Sequence, residues 1–491
     1  MATRQSVLFS WDDVERLPEL KRLSFVLDHL PDGDLVAALE AKRGRGRDEY
    51  PVAAMWRALV AGMVFGHDSS ASLLRELGRN PALLALCGFD PLGRQSPPRR
   101  TLARRADGTA EAVCEPSPWR AGVPTPWAFS RFLSNVVSLE EKTGAVSAMV
   151  DALRRRLMDE LPGFGRHLGY DGKALSSHST GKRKAATGRT SDPDADWGRH
   201  ETGGVDAKGK AWTKVKTWFG YGLHLVADAE HEIPVWFEVT KASASEHAAL
   251  SAGVDDLFAK EPGMAARCED FCADRGLDGG PLKRRLWDVW EVRPLTDVRE
   301  LWREEKEMPG HDPSQPVRRS LAADGGGNVL HSGKGEVFCR CPATGEERPM
   351  AFQGFEADRG TLKYRCPAAA YGFDCAGRER CLADAGSKAG DYGRVVRVDL
   401  AGADRRMFTP TPWGSPSWKR GYARRSGLER INARLDGGFR FENHFVRGKA
   451  RMKTRIGLAV AVMMALALGA VLAGRPERMR SLVDPGLPLA A

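Results

Sequence analysis

Cysteine is scarce and unevenly placed: nine occur among 491 residues, and of the five between 339 and 381 only Cys339 and Cys341 are closely paired, with one residue between them. An odd count in a long chain argues for reduced thiols in a cytoplasmic protein rather than a disulfide framework. The opening Met1-Ala2-Thr3-Arg4-Gln5 has no apolar leader, so a secreted protein is not expected. Phosphate loops are missing too. Gly325-Gly326-Gly327 and Gly333-Lys334-Gly335 lack the following Ser or Thr and the preceding strand, so ATP use is not supported. The acid alternation from Ser191 to Asp196 lacks the glycine and glutamate of a calcium hand, because the sixth position from Asp192 is Trp197 and the twelfth is Gly203. No repeat of 20 to 50 residues is present. One long uncharged run exists, Ile456 to Gly474, flanked by Arg451, Lys453, Arg455 and Arg475. Its length suits a membrane span. Its Ala, Gly, Val and Met content, with positive charge at both ends, predicts a buried helix of a soluble protein instead.

The length implies two to four units. The formal net charge of +10 favours a polyanionic partner, since phosphate neutralisation releases counterions. Residues 1–135 read as a helical domain, beginning at Ser10-Trp11-Asp12-Asp13, with further starts at Pro51 and at Asn80-Pro81. Ser72 to Leu84 is two helices across a tight turn, compatible with a helix-turn-helix or an ordinary hairpin. Pro97-Pro98-Arg99-Arg100 and Arg104-Arg105 mark residues 90–124 as an exposed basic linker. Helix resumes at Thr125-Pro126 and runs, with breaks, to Leu157.

From 160 to 296 the pattern turns to strands: Leu168 to Asp171, then a mobile polar loop from Gly172 to Lys210, then a hairpin of Tyr221–Val226 with Ile233–Val239. A helix from Glu246 to Phe258, a strand Asp270–Asp274, a helix Gly279–Val289 and a strand Trp290–Pro294 follow. Residues 297–412 are Gly- and Pro-rich, hold five of the nine cysteines, and read as an insertion. The remainder, 413–475, holds two helices, Trp418–Leu435 and Lys449–Ala473. Together these predict an α/β fold: an RNase H-like mixed sheet with an insertion, preceded by an all-helical domain.

That layout puts Asp171 at the end of the first strand, Asp274 at the end of the fourth, and Glu429 on the helix after the insertion. Three carboxylates suit hard divalent cations, which take oxygen ligands. Each acid alone is commonplace, and Asp228 and Glu238 are rivals, the first as a turn residue and the second on a strand face. Tyr422, Arg425 and Glu429 fall at i, i+3 and i+7 on one helix face.

The spacing Tyr422, Arg425, Glu429 resembles the Tyr-Arg-Glu-Lys signature of bacterial insertion-sequence transposases with an Asp-Asp-Glu triad, although Asp436 stands where the lysine should be. Tyr170-Asp171-Gly172, Ser191-Asp192-Pro193-Asp194-Ala195, Gly220 to Leu225, Ala273-Asp274-Arg275-Gly276, His444 to Gly448, and the stretch from Tyr50 to Leu83 are similar to the same family. The resemblance implies two magnesium ions, replaceable by manganese, on Asp171, Asp274 and Glu429. It implies cleavage at paired terminal inverted repeats and strand transfer into target DNA by a homo-oligomer without a membrane. Tyr422 and Arg425, and Lys182, Arg183 and Lys184 in the loop, are the candidate DNA contacts. Cys339, Cys341, Cys366, Cys375 and Cys381 could form a zinc site, though their spacing is irregular. The competing readings are a repressor that binds DNA without cutting and a membrane-anchored protein.

Overall fold

The computed structural model describes residues 18–44, 49–91, 94–95, 99–104, 110–115, 119–120, 122–182, 188, 190–205, 210–299, 302, 316–322, 327–384 and 392–483. The helix start at Ser10 and the loop residues Arg183, Lys184 and Arg189 lie outside them.

Five helices open the described chain: α1 (Pro18–His29), α2 (Gly33–Arg43), α3 (Val52–Val64), α4 (Ser70–Arg79) and α5 (Pro81–Cys87). Local chemistry sets their ends. Ser69 accepts from the Ser72 amide to cap α4, and Asn80 accepts from the Leu83 amide at 3.0 Å with Pro81 at the first helical position. Trp56 on α3 is fully buried and donates to Asp32 at 2.6 Å, tying α3 to the start of α2. The stretch read as a linker carries two antiparallel ribbons instead. In them β1 (Arg94–Gln95) pairs with β4 (Trp119–Arg120), and β2 (Arg99–Arg104) with β3 (Ala110–Glu115). Arginines at both ends of β2 masked the strand pattern. Two longer helices follow, α6 (Pro126–Thr143) and α7 (Ala145–Glu160).

The central sheet contains β5 (His167–Ser176), β6 (Asp196–Val205), β7 (Ala211–Asp228), β8 (Ile233–Lys241), β9 (Asp270–Ala273) and β10 (Arg293–Thr296). Its order is β10-β9-β5-β7, with β8 and β6 both on β7. β10, β9 and β5 run parallel, while β7 is antiparallel to β5, β6 and β8. This is the order and polarity of an RNase H-like sheet. Between β8 and β9 lie α8 (Glu246–Lys260) and α9 (Pro262–Arg267), and α10 (Gly280–Arg284) continues into a π turn before β10. Much of the loop expected from Gly172 to Lys210 is strand: β5 runs on to Ser176, and β6 pairs residue for residue with the first half of β7. That half of β7 is exposed from Ala211 to Thr217, so it has no apolar alternation to read.

The stretch from 297 to 412 forms two small sheets. The first holds β11 (Arg319–Ser320), β12 (Val329–His331), β13 (Val337–Arg340) and β14 (Glu347–Pro349). The second holds β15 (Ala351–Glu356), β16 (Thr361–Arg365) and β17 (Val395–Asp399), with α11 (Pro367–Tyr371) and α12 (Arg378–Asp384) between the last two strands. Buried Asp278 anchors this stretch, accepting from Lys283 at 2.8 Å and from Arg406 at 2.9 Å. Trp413 donates to Asp297 at 2.8 Å, which joins the stretch's two ends.

The chain then forms α13 (Pro416–Ala423), α14 (Ser426–Phe439) and α15 (Lys449–Leu472). The single helix expected from Trp418 to Leu435 is therefore broken at Arg424-Arg425, so Tyr422 and Glu429 sit on different helices. α15 is long and apolar enough to cross a membrane, yet it packs against α1, α3, α6, α7 and β8, and Ile456 to Ala470 are buried throughout. It is the spine of the core.

Candidate catalytic site

β5 and β9 bring two of the three acids together. Their parallel register pairs His167 with Asp270, Leu168 with Phe271 and Gly169 with Cys272. The same register continued two residues past the last pair would put Asp171 abreast of Asp274, and Asp274 does act electrostatically on the Asp171 carboxyl. Asp171 lies inside β5 rather than at its end, since the strand continues through Gly172 and Lys173. Asp274 stands one residue beyond β9, exposed, with one carboxylate oxygen accepting from the Gly276 amide at 2.8 Å.

α14 supplies the third acid by lying along β5. Residues 167, 169, 171 and 173 share one strand face; residues 428, 432 and 436 of α14 are spaced by one helical turn, and Arg424 lies in the break one turn before them. They meet pairwise. Arg424 is 3.3 Å from His167, Leu428 covers Gly169, Asn432 donates to Asp171 at 2.5 Å, and Lys173 donates to Asp436 at 2.5 Å. The match is geometric: four helical residues rise about 6.0 Å, and two strand residues about 6.6 Å. Gly169 permits the approach, because a Cβ there would stand 2.5 Å from Cys272 Sγ and 2.8 Å from Leu428 Cδ1. Glu429 adjoins Leu428 on this helix and is exposed, accepting from Arg425 at 2.6 Å.

The electrostatics register this convergence. Burial pushes the Asp171 carboxyl up to about 6; Arg425 and the Asn432 hydrogen bond pull it down, and Asp274 and Glu429 raise it further. A half-buried carboxyl raised by two neighbouring carboxylates is one that a divalent cation would relieve, and its donors are hard oxygens. Among the described residues, however, no three His, Cys, Asp or Glu side chains are already gathered around one point. Glu429 is turned onto Arg425, so cation binding requires it to rotate inward.

The other expected contacts are placed variously. Tyr422 is half-buried, with its ring stacked on Trp418 at 4.6 Å, and Lys182 is exposed. Asp228 is wholly buried. It accepts from the Gly165 and His231 amides at 2.6 Å each and so holds the β7–β8 turn, while Glu238 pairs with Lys453 at 2.7 Å. Neither rival faces the site's acids.

Three residues had no role in the sequence reading. Asn432 and Lys173 carry no motif; their signal is only the turn-by-turn match to β5. Asp192, read in a calcium-like alternation, is a buried clamp. It accepts from Ser177 at 2.5 Å, Tyr221 at 2.6 Å and the Gly448 amide at 3.0 Å. Burial pushes its carboxyl up, but these donors outweigh it and leave it below the usual range.

Comparison with known families fits this arrangement. A family described as a Transposase DDE domain matches residues 163–465, and one described as a Transposase domain (DUF772) matches residues 13–107. The first match covers more than half the chain, so the protein belongs to the DDE transposase family. No curated protein and no solved structure matches it.

Proposed function

We propose that this transposase is active, and that Asp171, Asp274 and Glu429 hold two magnesium ions, for which manganese can substitute. What supports the reading most is that Asp274 and Glu429 both act electrostatically on the half-buried Asp171 carboxyl, with β9 pairing parallel to β5 just before Asp274 and α14 laid along β5. Two such ions stabilise charge on the attacking and leaving oxygens of an in-line phosphoryl displacement. Water attacks phosphorus at a transposon end and the P–O3′ bond breaks, leaving a 3′ hydroxyl on the element. That hydroxyl then attacks a target phosphate and displaces the target 3′ oxygen, so no covalent enzyme intermediate is needed.

The chain's own groups bind and orient. Asn432 fixes the Asp171 carboxylate through its 2.5 Å hydrogen bond. Arg425, once Glu429 turns to the cations, is free to hold a DNA phosphate. Lys182, and Arg183 and Lys184 beside it in the chain, add backbone contacts, and Tyr422 flanks Arg425. The substrates are double-stranded terminal inverted repeats and target DNA, the acting species is a homo-oligomer, and the compartment is the bacterial cytoplasm.

Purified protein incubated with magnesium and DNA carrying the element's ends tests this. Asp171→Asn, Asp274→Asn and Glu429→Gln should each lose about 10³-fold or more in cleavage while still retarding the DNA. Equal cleavage by wild type and Asp171→Asn would remove the site from the chemistry. Binding without cutting by the wild type would favour the repressor.

A further inference from the structure

The five cysteines between 339 and 381 are scattered in sequence but not in space. Cys339 lies on β13, Cys366 immediately precedes α11, Cys375 is in the connection to α12, and Cys381 is on α12. These four line one small cavity of about 30 Å³, large enough for an ion and too small for an organic ligand. Cys341 lies outside it, lining an adjoining hollow of about 150 Å³ together with Cys339, Cys366 and Cys375, and its sulfur is 3.9 Å from that of Cys375. The thiols of Cys339 and Cys381 are close enough to interact electrostatically. All of these thiols are free.

Two further observations point to a ligand. Cys381 Sγ accepts from Asn328 Nδ2 at 3.3 Å and faces Arg394 Nη1 at 3.9 Å. Donors of that kind orient a sulfur, as groups behind metal ligands do. The stretch also shows a small apolar core: among the described residues, eight buried ones, from Val329 to Phe408, form its hydrophobic cluster. A unit with so small a core usually depends on a staple.

We propose that Cys339, Cys366, Cys375 and Cys381 bind one structural zinc ion as a four-thiolate site. It clamps the sheet that holds β13 to the segment between β16 and β17, with Cys341 as a bystander. Four Zn–S bonds of about 2.3 Å place tetrahedral sulfurs about 3.8 Å apart. The four sulfurs do not yet form a closed tetrahedron, since among the described residues no metal-ready group exists. Loading therefore swings side chains around the cavity and releases the thiol protons to solvent. A site closed by four protein ligands leaves no position for substrate, which makes the role structural.

Full-length protein purified without chelator from zinc-supplemented medium should carry about one zinc per chain by elemental analysis. Cobalt-exchanged protein should show the intense visible bands and thiolate charge transfer of a tetrahedral thiolate centre. Serine at 339, 366, 375 or 381 should remove the metal, and Cys341→Ser should keep it. Because a ligand variant can misfold, the wild type is also stripped and reloaded: proteolysis within residues 316–412 should quicken on stripping and slow again with zinc. Zinc-free protein whose thiols all react with a disulfide reagent would overturn the proposal. So would metal loss in Cys341→Ser, or Cys339–Cys381 and Cys341–Cys375 disulfides found by mass spectrometry.

Discussion

Gly169→Ala isolates the contact that sets α14 on the sheet. The added methyl would stand 2.5 Å from Cys272 Sγ, 2.8 Å from Leu428 Cδ1 and 3.1 Å from the Cys272 carbonyl oxygen. Ordinary contacts are about 3.5–4.0 Å, so roughly 1 Å must be found. Neither neighbour can retreat, since Cys272 is 2% and Leu428 0% exposed. Overpacking of this kind costs about 1–3 kcal/mol, a melting shift of several degrees. The easiest yield is outward motion of α14, carrying Glu429 and Asn432 away from Asp171. A displacement of about 1 Å at reacting groups lowers rate about 10²-fold, so cleavage should fall far more than stability. Adding Cys272→Ala removes the closest atom, and the double variant should recover part of both losses, with a coupling on the order of 1 kcal/mol. The assays are thermal melting and cleavage of DNA carrying the element's ends. Wild-type melting and cleavage by Gly169→Ala, or strict additivity in the double variant, would refute the reasoning.

Asp192→Ala strands donors from Ser177, Tyr221 and Gly448 in the interior and should cost about 3 kcal/mol in urea unfolding; a loss below about 0.5 kcal/mol would show that the clamp is idle. Asp436→Lys restores the signature lysine but opposes it to Lys173, and should destabilise by about 2 kcal/mol. Lys173→Asp in the same chain should return most of that, and a cycle without coupling would contradict the pairing. His444 is held down to about 4, first by burial and then by Arg455 and His178. With an unfolded value near 6.5, its contribution is complete above about pH 6.5 and is lost as pH falls toward about 4. Discounted for partial exposure, it is worth about 1–2 kcal/mol. His444→Gln should flatten the pH dependence of the urea midpoint over that window, and an unchanged slope would exclude this histidine.

Elements with local signals were legible in the sequence. Asn80-Pro81 starts a helix because the amide cap and the fixed φ act within one turn, and the β7–β8 hairpin and α15 are marked by burial on their own residues. β6 was not legible, because an exposed ribbon has no apolar face. The break at Arg424-Arg425 was hidden as well, since the helical period continues across it and only tertiary packing bends the chain. Acids following two apolar strand segments were visible as a pattern, although Asp171 lies within β5 and Asp274 just past β9. Their convergence depends on the pairing of β5 with β9, about 100 residues on, and the contacts of Asn432 and Asp436 with β5 depend on a helix more than 250 residues further along the chain. Asp192 shows the same limit: whether an acid is buried depends on partners at 177, 221 and 448.

The pairing of α14 with β5 works like two racks of slightly different pitch. Each step of engagement adds a mismatch of about 0.6 Å, so the teeth of α14 mesh for three positions and then drift apart. One residue inserted between Arg424 and Leu428 would rotate every later tooth by about 100° and disengage the remainder at once. Length changes between 297 and 412 leave the mesh alone, because the Trp413–Asp297 bond closes that detour before α14 begins. The phase between Asp171 and Glu429 is thus indifferent to how much chain lies between them and intolerant of a single residue in the helix itself.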